Sequence, residues 1–326
     1  MNVATYSNGA VSDGMGNLNF ATRKPAVLIA GPTASGKSAL AIELARAQGG
    51  VVINADSMQV YRELRILSAR PDAEEEAQAP HRLYGHVAAS ERYSVARWRE
   101  DAKIALEAAW EDGQLPIVVG GTGLYFKALT EGLSAIPPIP AELRAAIEAR
   151  ADAEGVPALH AALETRDPES AARLAPLDRT RVVRALEVVE ATGRTIGAWQ
   201  QATGAPPLVE AGAVRRIVLE PERAELYARI GRRFDIMVAR GGMAEAQALL
   251  ALGLDPALPA MKAIGVREFG AHLAGELPLD EAIGRAKMET RRYAKRQGTW
   301  FRNQMADWDR LAPGATPVVI GALPPG

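Results

Sequence analysis

The sequence predicts an α/β fold, a parallel sheet flanked by helices with an all-helical segment inserted into it. Three observations predict it. Short apolar runs at Ala26–Ala30, Val51–Asn54 and Ile117–Val119 each lead into a loop rich in glycine or polar residues, the pattern of buried parallel strands. Helical patterns over Ser38–Gln48 and Ser94–Asp112 lie between them, as crossover connections require. Beyond Ile136-Pro137-Pro138-Ile139-Pro140 the pattern is helical only, until an apolar run returns at Arg216–Leu219.

The first run feeds Gly31-Pro32-Thr33-Ala34-Ser35-Gly36-Lys37-Ser38 and then a helix, the strand, glycine-rich loop and helix order of a P-loop. Its glycines let backbone N–H groups turn inward on an anion, and the helix start adds its positive dipole end. In such a loop Lys37 reaches the outer phosphate and Ser38 holds Mg²⁺. The core is therefore expected to be P-loop kinase-like, with the identity of the phosphate compound left open.

The second run ends in Ala55-Asp56-Ser57-Met58-Gln59-Val60-Tyr61-Arg62. Ligands of open α/β sheets lie beyond the carboxyl ends of the strands, so Asp56 falls on the same edge as the P-loop. Asp56 could equally cap a turn, as aspartate often does at strand ends, and the residues alone leave both roles open. His81 and His86 stand at no regular metal spacing. Ser94 is the expected cap of the next helix, and Gly113 its terminator. The third run enters Gly120-Gly121-Thr122-Gly123-Leu124-Tyr125, a turn suggesting close backbone approach to a ligand. Many P-loop hydrolases place an acid there, so the glycines disfavour nucleotide hydrolysis.

Residues 137–213 are expected to form the helical insertion, and 25–136 with 214–304 the core. Within the insertion a helix from Asp178 carries Arg179, Arg181 and Arg184 opposite a Val182, Val183, Leu186, Val189 stripe. Those arginines suit either a phosphate contact or a solvated face. Arg223–Arg240 reads as a helix with arginines at 229, 232 and 233, stopped by Gly241-Gly242. A last helix, Leu279 to about Gln304, sets Lys287, Arg291 and Lys295 on one face. Tyr293, Trp300 and Phe301 are interleaved with its cations, a pattern suited to RNA backbone and bases or to an exposed charged helix with core aromatics.

Composition narrows the class. A chain of 326 residues can hold two compact lobes, or one domain with a large insertion. A net charge of −1 excludes a general polyanion binder and leaves local basic patches for any nucleic-acid contact. With no cysteine there is no disulfide, thiolate metal site or cysteine nucleophile. No apolar run approaches the roughly 18 residues of a membrane span. Residues 1–24 lack a signal-peptide core and read as a flexible polar tail. A cytoplasmic, monomeric protein is expected, with a proline- and glycine-rich tail over 305–326 and at most one strand there, Pro317–Ile320.

Taken in order, these motifs resemble the tRNA dimethylallyltransferase (tRNA isopentenyltransferase) family of bacterial type, over about Ala26 to Gln304. The P-loop, the Asp56 segment and the Pro116–Tyr125 segment carry the likeness, with Arg181-Val182-Val183-Arg184-Ala185-Leu186-Glu187, Lys262-Ala263-Ile264-Gly265 and Tyr293-Ala294-Lys295-Arg296-Gln297. The resemblance implies transfer of a five-carbon group from dimethylallyl diphosphate to the exocyclic amine of the adenosine just 3′ of a tRNA anticodon. It implies that Gly31, Pro32, Thr33, Ala34, Ser35, Gly36, Lys37 and Ser38 bind the diphosphate with Mg²⁺, and that Asp56 is the general base, or hydrogen-bond acceptor, for the attacking amine, with Thr122 as its catalytic companion. Asp56, Ser57, Met58, Gln59 and Thr122 would contact the target nucleotide. Arg144, Thr180, Arg181, Val182, Val183 and Arg184 fall at tRNA-contacting positions for the anticodon stem-loop, and Arg229 or Arg233 matches an arginine that holds the diphosphate. The basic stripe adds Arg291 and Lys295 as tRNA contacts.

Two departures stand out. Leu67-Ser68-Ala69-Arg70-Pro71 replaces a Gly-Thr-Ala-Lys-Pro-like segment, so Arg70 keeps a charge without lysine's point geometry. With no cysteine, the zinc-finger tail of eukaryotic relatives is absent. The competing readings are an ATP-dependent small-molecule or nucleotide kinase and a non-catalytic P-loop RNA-binding module. The first ignores the insertion and the basic last helix, the second leaves Asp56 and the glycine turn idle.

Overall fold

The computed structural model describes residues 24–314, so the tail 1–23 and the Pro317–Ile320 strand expectation lie outside the described residues. Six parallel strands form the sheet in the order β3-β2-β4-β1-β5-β6. They are β1 Ala26–Ala30, β2 Gly50–Asn54, β3 His81–Arg82, β4 Leu115–Gly120, β5 Val214–Leu219 and β6 Asp309–Leu311. The α/β class and parallel sheet agree with the sequence reading. Two strands were not anticipated. β3 is two residues long and carries His81 and Arg82, too short and polar to register as a run. β6 pairs Ile217 with Asp309 and Leu219 with Leu311, a strand where the reading of 305–326 as a tail allowed one only at Pro317–Ile320. An edge strand of three residues has no periodicity to detect.

Helix α1 (Lys37–Gln48) follows β1 and buries Leu40, Ala41 and Leu44 against Val27, Ile29, Ile117 and Val119 of the sheet. Its end is set by Gly49 in the left-handed conformation, whose N–H returns to Ala45 C=O. The acidic stretch after Pro71 forms a single turn, α2 (Ala73–Glu76), held by an Asp72–Glu75 capping box. Helix α3 (Val95–Glu111) starts as expected, with Ser94 Oγ accepting from Arg97 N–H. Buried Trp98 donates its indole N–H to Asn54 C=O at 2.8 Å and stacks on Tyr125 of α4 (Gly123–Thr130), ring centroids 4.3 Å apart. This pins the ends of β2 and β4, from which the site is built.

Among the described residues two compact units result, 24–130 with 209–314, and 131–208. The second has Leu133 paired antiparallel with Ala205 near its two ends, Leu133 a few residues before the proline-marked start and Ala205 a few residues before the expected end at 213. It is helical throughout: α5 Ala141–Glu154, α6 Val156–Arg166, α7 Pro168–Arg173, α8 Arg179–Thr192 and α9 Ile196–Gln201. Its core is Ile147, Leu159, Leu163, Val182 and Leu186 with their neighbours.

The first unit continues from β5 through α10 (Arg223–Ala239), α11 (Gly242–Leu250), α12 (Val266–Leu273) and α13 (Leu279–Gln304). Phe234, Met237, Phe269 and Ala286 form a core shared by α10, α12 and α13. No helix among the described residues is long and apolar enough to cross a membrane.

Candidate active site

The P-loop leaves β1 as a bent anion cradle. Ala34 and Gly36 both take positive φ, 64° and 91°. For Ala34 that is a strained conformation, tolerated where surrounding structure over-determines it. Lys37 folds back to donate from Nζ to Pro32 C=O at 3.2 Å. Burial pushes its pKa down to about 8, with Arg233 adding to the fall and Asp56 opposing it.

Arg233 reaches this loop from α10. Its Nη2 donates to Thr33 Oγ1 at 2.6 Å, and burial holds its pKa below the usual guanidinium value while Asp56 supports the charge. Arg229, one turn earlier on the same face, places Nη1 3.7 Å from where a Gly36 Cβ would lie, and pairs with Glu225. Both arginines therefore stand at the P-loop, Arg233 inside and Arg229 outside. A cavity of about 780 Å³ opens here, lined by residues 34–39 and by Arg65, Arg70, Arg229, Arg232, Arg233 and Arg240. Such a concentration of cations suits a multiply charged anion.

Asp56 uses its two carboxylate oxygens differently. Oδ1 accepts from Met58 N–H at 2.9 Å, a turn-capping bond, while Oδ2 lies 3.4 Å from where a Gly121 Cβ would stand. Capping thus orients the carboxylate without consuming it. Buried Asn54 braces the segment, accepting from Asp56 N–H and donating to Asp56 C=O and Leu83 C=O. Thr122 Oγ1 accepts from Ser57 N–H at 3.0 Å, which ties the Asp56 segment to the glycine turn. Tyr293 of α13 also faces this segment, and its pKa is raised by burial and then by Asp56.

A second cavity, about 290 Å³, joins Asp56, Ser57 and Met58 to Thr33 and Arg233. Leu67, Ile230, Phe234, Met237 and Ile264 give it an apolar wall, and Tyr293 and Arg296 close another side. Arg233 and Met237 line both cavities, so the cationic chamber and the apolar one are neighbours across those two side chains.

Several expectations change in three dimensions. Glycines 120, 121 and 123 do permit close approach, but by protein: a Cβ there would meet Ala55 C=O, Gln297 Nε2 and Trp300 Nε1 at 2.0–2.2 Å. Gln59 turns its amide N–H to Ser68 C=O and Ala69 C=O, bracing the following loop. Arg70 donates to Tyr61 C=O at 3.3 Å and lies against Gly85, so part of its guanidinium is structural. On α13, Phe301 is core and Trp300 packs on Gly123, so of the two readings that the spacing left open these two aromatics follow the core one. Lys287 pairs with Asp235 at 2.6 Å, whereas Arg291 lies over the Tyr227 ring and Lys295 is exposed.

Within the helical unit Val182 and Val183 are core residues, so their side chains cannot contact RNA, a correction that follows from the helical stripe itself. Arg144 and Arg184 both pair with Glu187, whose side chain is buried. Arg181 is exposed, pairing with Asp178, and Thr180 is exposed beside it. Glu187 thus holds two guanidiniums in one patch.

Sequence reasoning missed three site residues. Gln297 bridges the P-loop and the glycine turn. Tyr293 lines the smaller cavity. Glu245 of α11 accepts from the N–H groups of Arg65, Ile66 and Leu67, each at 2.8 Å, and so shapes the loop walling both cavities. Gln297 and Tyr293 did lie in a quoted motif. Glu245 gave no signal, since its partners are about 180 residues away.

For a metal ion the donors are oxygen only. Among the described residues no group of three His, Asp or Glu could hold one alone. Ser38 at the start of α1 lines the larger cavity, as do Asp72 and Glu75. Mg²⁺ bound largely through substrate phosphate and water needs few protein ligands, so the Ser38 hydroxyl fits that mode.

Comparison with known proteins is consistent along the chain. The IPP transferase family model matches residues 59–304, and the isopentenyl transferase model residues 25–90. A tRNA dimethylallyltransferase of Bradyrhizobium sp. (strain BTAi1) is 58% identical over 288 residues, 88% of this chain and 94% of that protein. One from Rhodopseudomonas palustris is 55% identical over 304 residues, 93% of this chain and 94% of its own. Among solved structures, the full-length tRNA isopentenylpyrophosphate transferase of Bacillus halodurans aligns with TM-score 0.64 and 38% identity, covering 89% of this chain and 90% of that one. A eukaryotic dimethylallyltransferase acting on tRNA aligns with TM-score 0.74 and 29% identity, over 88% and 73% of the two chains.

Proposed function

The chain belongs to the IPP transferase family, and from that premise we propose that it transfers a dimethylallyl group from dimethylallyl diphosphate to tRNA, releasing diphosphate. The acceptor is the exocyclic amine of the adenosine 3′-adjacent to the anticodon. One observation carries the reading beyond kinship: an apolar-walled chamber has Asp56 on one side and Thr33 and Arg233 on another, next to the cationic P-loop cavity. A donor with a charged head and a five-carbon tail fits that pair of chambers.

In this reading the diphosphate sits among the P-loop amides, Lys37, Arg233 and Arg229. As the allylic carbon–oxygen bond breaks, further negative charge develops on the departing diphosphate, and preorganised donors stabilise that charge most in the transition state. Mg²⁺ held by Ser38 would supply further neutralisation of the diphosphate. The adenine amine is a weak nucleophile because its lone pair is delocalised into the ring. The free Oδ2 of Asp56 takes its proton as the carbon–nitrogen bond forms. Thr122 and Ser57 hold Asp56 in place, and Met237, Phe234 and Leu67 keep water from the allylic cation.

The base must leave its stack to enter this chamber. The Arg144, Arg181 and Arg184 patch is the proposed grip on the anticodon stem-loop, with Arg291 and Lys295 as backbone contacts. The protein works as a cytoplasmic monomer in this reading. Incubation with labelled dimethylallyl diphosphate and unmodified tRNA should move label into tRNA. Consumption of ATP with tRNA unlabelled would instead favour a kinase.

A further inference from the structure

Strands β1 and β4 are neighbours, with Ala30 beside Gly120, so the P-loop and the glycine turn leave the sheet side by side. Beyond the sheet, among the described residues, no backbone hydrogen bond joins residues 31–36 to residues 121–123. One side chain does. Gln297 is 5% exposed, its Oε1 accepts from Thr33 N–H at 2.9 Å, and its Nε2 donates to Gly121 C=O at 2.9 Å. Gly121 is what lets the amide in, since a Cβ there would stand 2.2 Å from Nε2.

The two ends of this brace lie on opposite sides of the chemistry. Thr33 carries the hydroxyl that accepts from Arg233, on the diphosphate side. Gly121 precedes Thr122, whose hydroxyl accepts from Ser57 N–H next to Asp56, on the amine side. We propose that Gln297 is a positioning residue that sets the separation between the leaving-group cradle and the Asp56 carboxylate, and this rests on the function proposed above. A carboxamide supplies an acceptor to one loop and a donor to the other from adjacent atoms, whatever the pH, which an ionised carboxylate cannot. Its placement decides how far apart diphosphate and amine are held, and a displacement of about 1 Å can cost about 100-fold in rate.

The test compares wild type with Gln297→Met and Gln297→Glu, at a temperature where circular dichroism shows all three folded. Methionine keeps length and burial but makes neither bond. Its kcat should fall about 10- to 100-fold, while affinities for inorganic pyrophosphate and for tRNA each stay within about threefold. Glutamate keeps the acceptor for Thr33 N–H but, when ionised, turns a second acceptor toward Gly121 C=O. Burial raises such a carboxyl's pKa, and once protonated it regains the donor. Gln297→Glu should therefore recover kcat relative to wild type as pH falls, and Gln297→Met should not. An unchanged kcat in Gln297→Met beside an active wild type, or a loss wholly explained by pyrophosphate affinity, overturns the positioning role alone. Absence of transfer by wild type overturns the function and the role together.

Discussion

Arg233 donates to Thr33 Oγ1 at 2.6 Å across 200 residues of chain, so the α10 helix is stitched to the P-loop by a partly buried guanidinium. The contact puts a fixed positive charge between the cationic and apolar cavities, where an allylic diphosphate would break. Replacing Arg233 by alanine should lower kcat/KM for dimethylallyl diphosphate by about 100-fold or more, as for loss of one preorganised transition-state donor. Arg229→Ala should cost less, since Arg229 stands outside and is paired with Glu225. Steady-state kinetics on both variants checks the order; equal losses would mean that the Thr33 contact is irrelevant to the role.

Asp56→Asn preserves the acceptor for Met58 N–H through its amide oxygen but cannot take up a proton. Turnover should fall about 10²- to 10⁴-fold with tRNA affinity retained. Filter binding alongside single-turnover rates separates the two. A defect confined to binding would reduce Asp56 to a nucleotide contact.

Lys37, brought down to about pKa 8 by burial, gives the donor site a pH dependence. A bound diphosphate favours the ammonium, so the pKa in the complex is higher than in the free protein. Affinity is therefore fully developed below pH 8 and declines as pH rises from about 8 toward the pKa of the complex. Calorimetric titration with pyrophosphate from about pH 7 to about pH 10 should show that decline in wild type, and Lys37→Arg should flatten it, because arginine stays charged.

Glu245 holds the Arg65–Leu67 turn by three backbone N–H groups. Glu245→Ala leaves those donors without their carboxylate and should destabilise the protein by about 2 kcal/mol, read from chemical denaturation. It should also raise KM for the diphosphate, because the turn carries Arg65 and Leu67 into the two cavities.

Reversing charge at Arg291 and Lys295 should weaken tRNA binding and flatten its dependence on salt, by roughly one unit of log–log slope for each phosphate no longer neutralised. An unchanged slope would make that side of α13 a solvated face, with its aromatics already accounted for by the packing on Gly123 and by the core.

The P-loop was legible because it is local. Strand, loop and helix are contiguous in Ala26–Gln48, and the backbone N–H groups that cradle an anion come from one stretch of chain. Asp56 was legible because a parallel sheet sends every strand's carboxyl end to one edge, so a short motif after β2 must lie near one after β1. The helical insertion could be read from prolines and from the loss of strand pattern, although its closure at Leu133 and Ala205 begins before the first prolines and ends just before Pro206. Helical periodicity had already placed Val182 and Val183 in a core, and the structure keeps them there against the motif that offered them to RNA.

The sequence by itself determined the sheet class, the P-loop and the family, because each is written in short-range pattern or in the order of motifs. Only the tertiary structure decided how the two sides of the site are held together. Arg233 meets Thr33, Glu245 meets the Arg65–Leu67 turn, and Gln297 spans Thr33 and Gly121, each across well over a hundred residues. Such partners are chosen by the packing of α10, α11 and α13 against the sheet edge. A single polar side chain carries no periodicity to announce which distant backbone group it will meet.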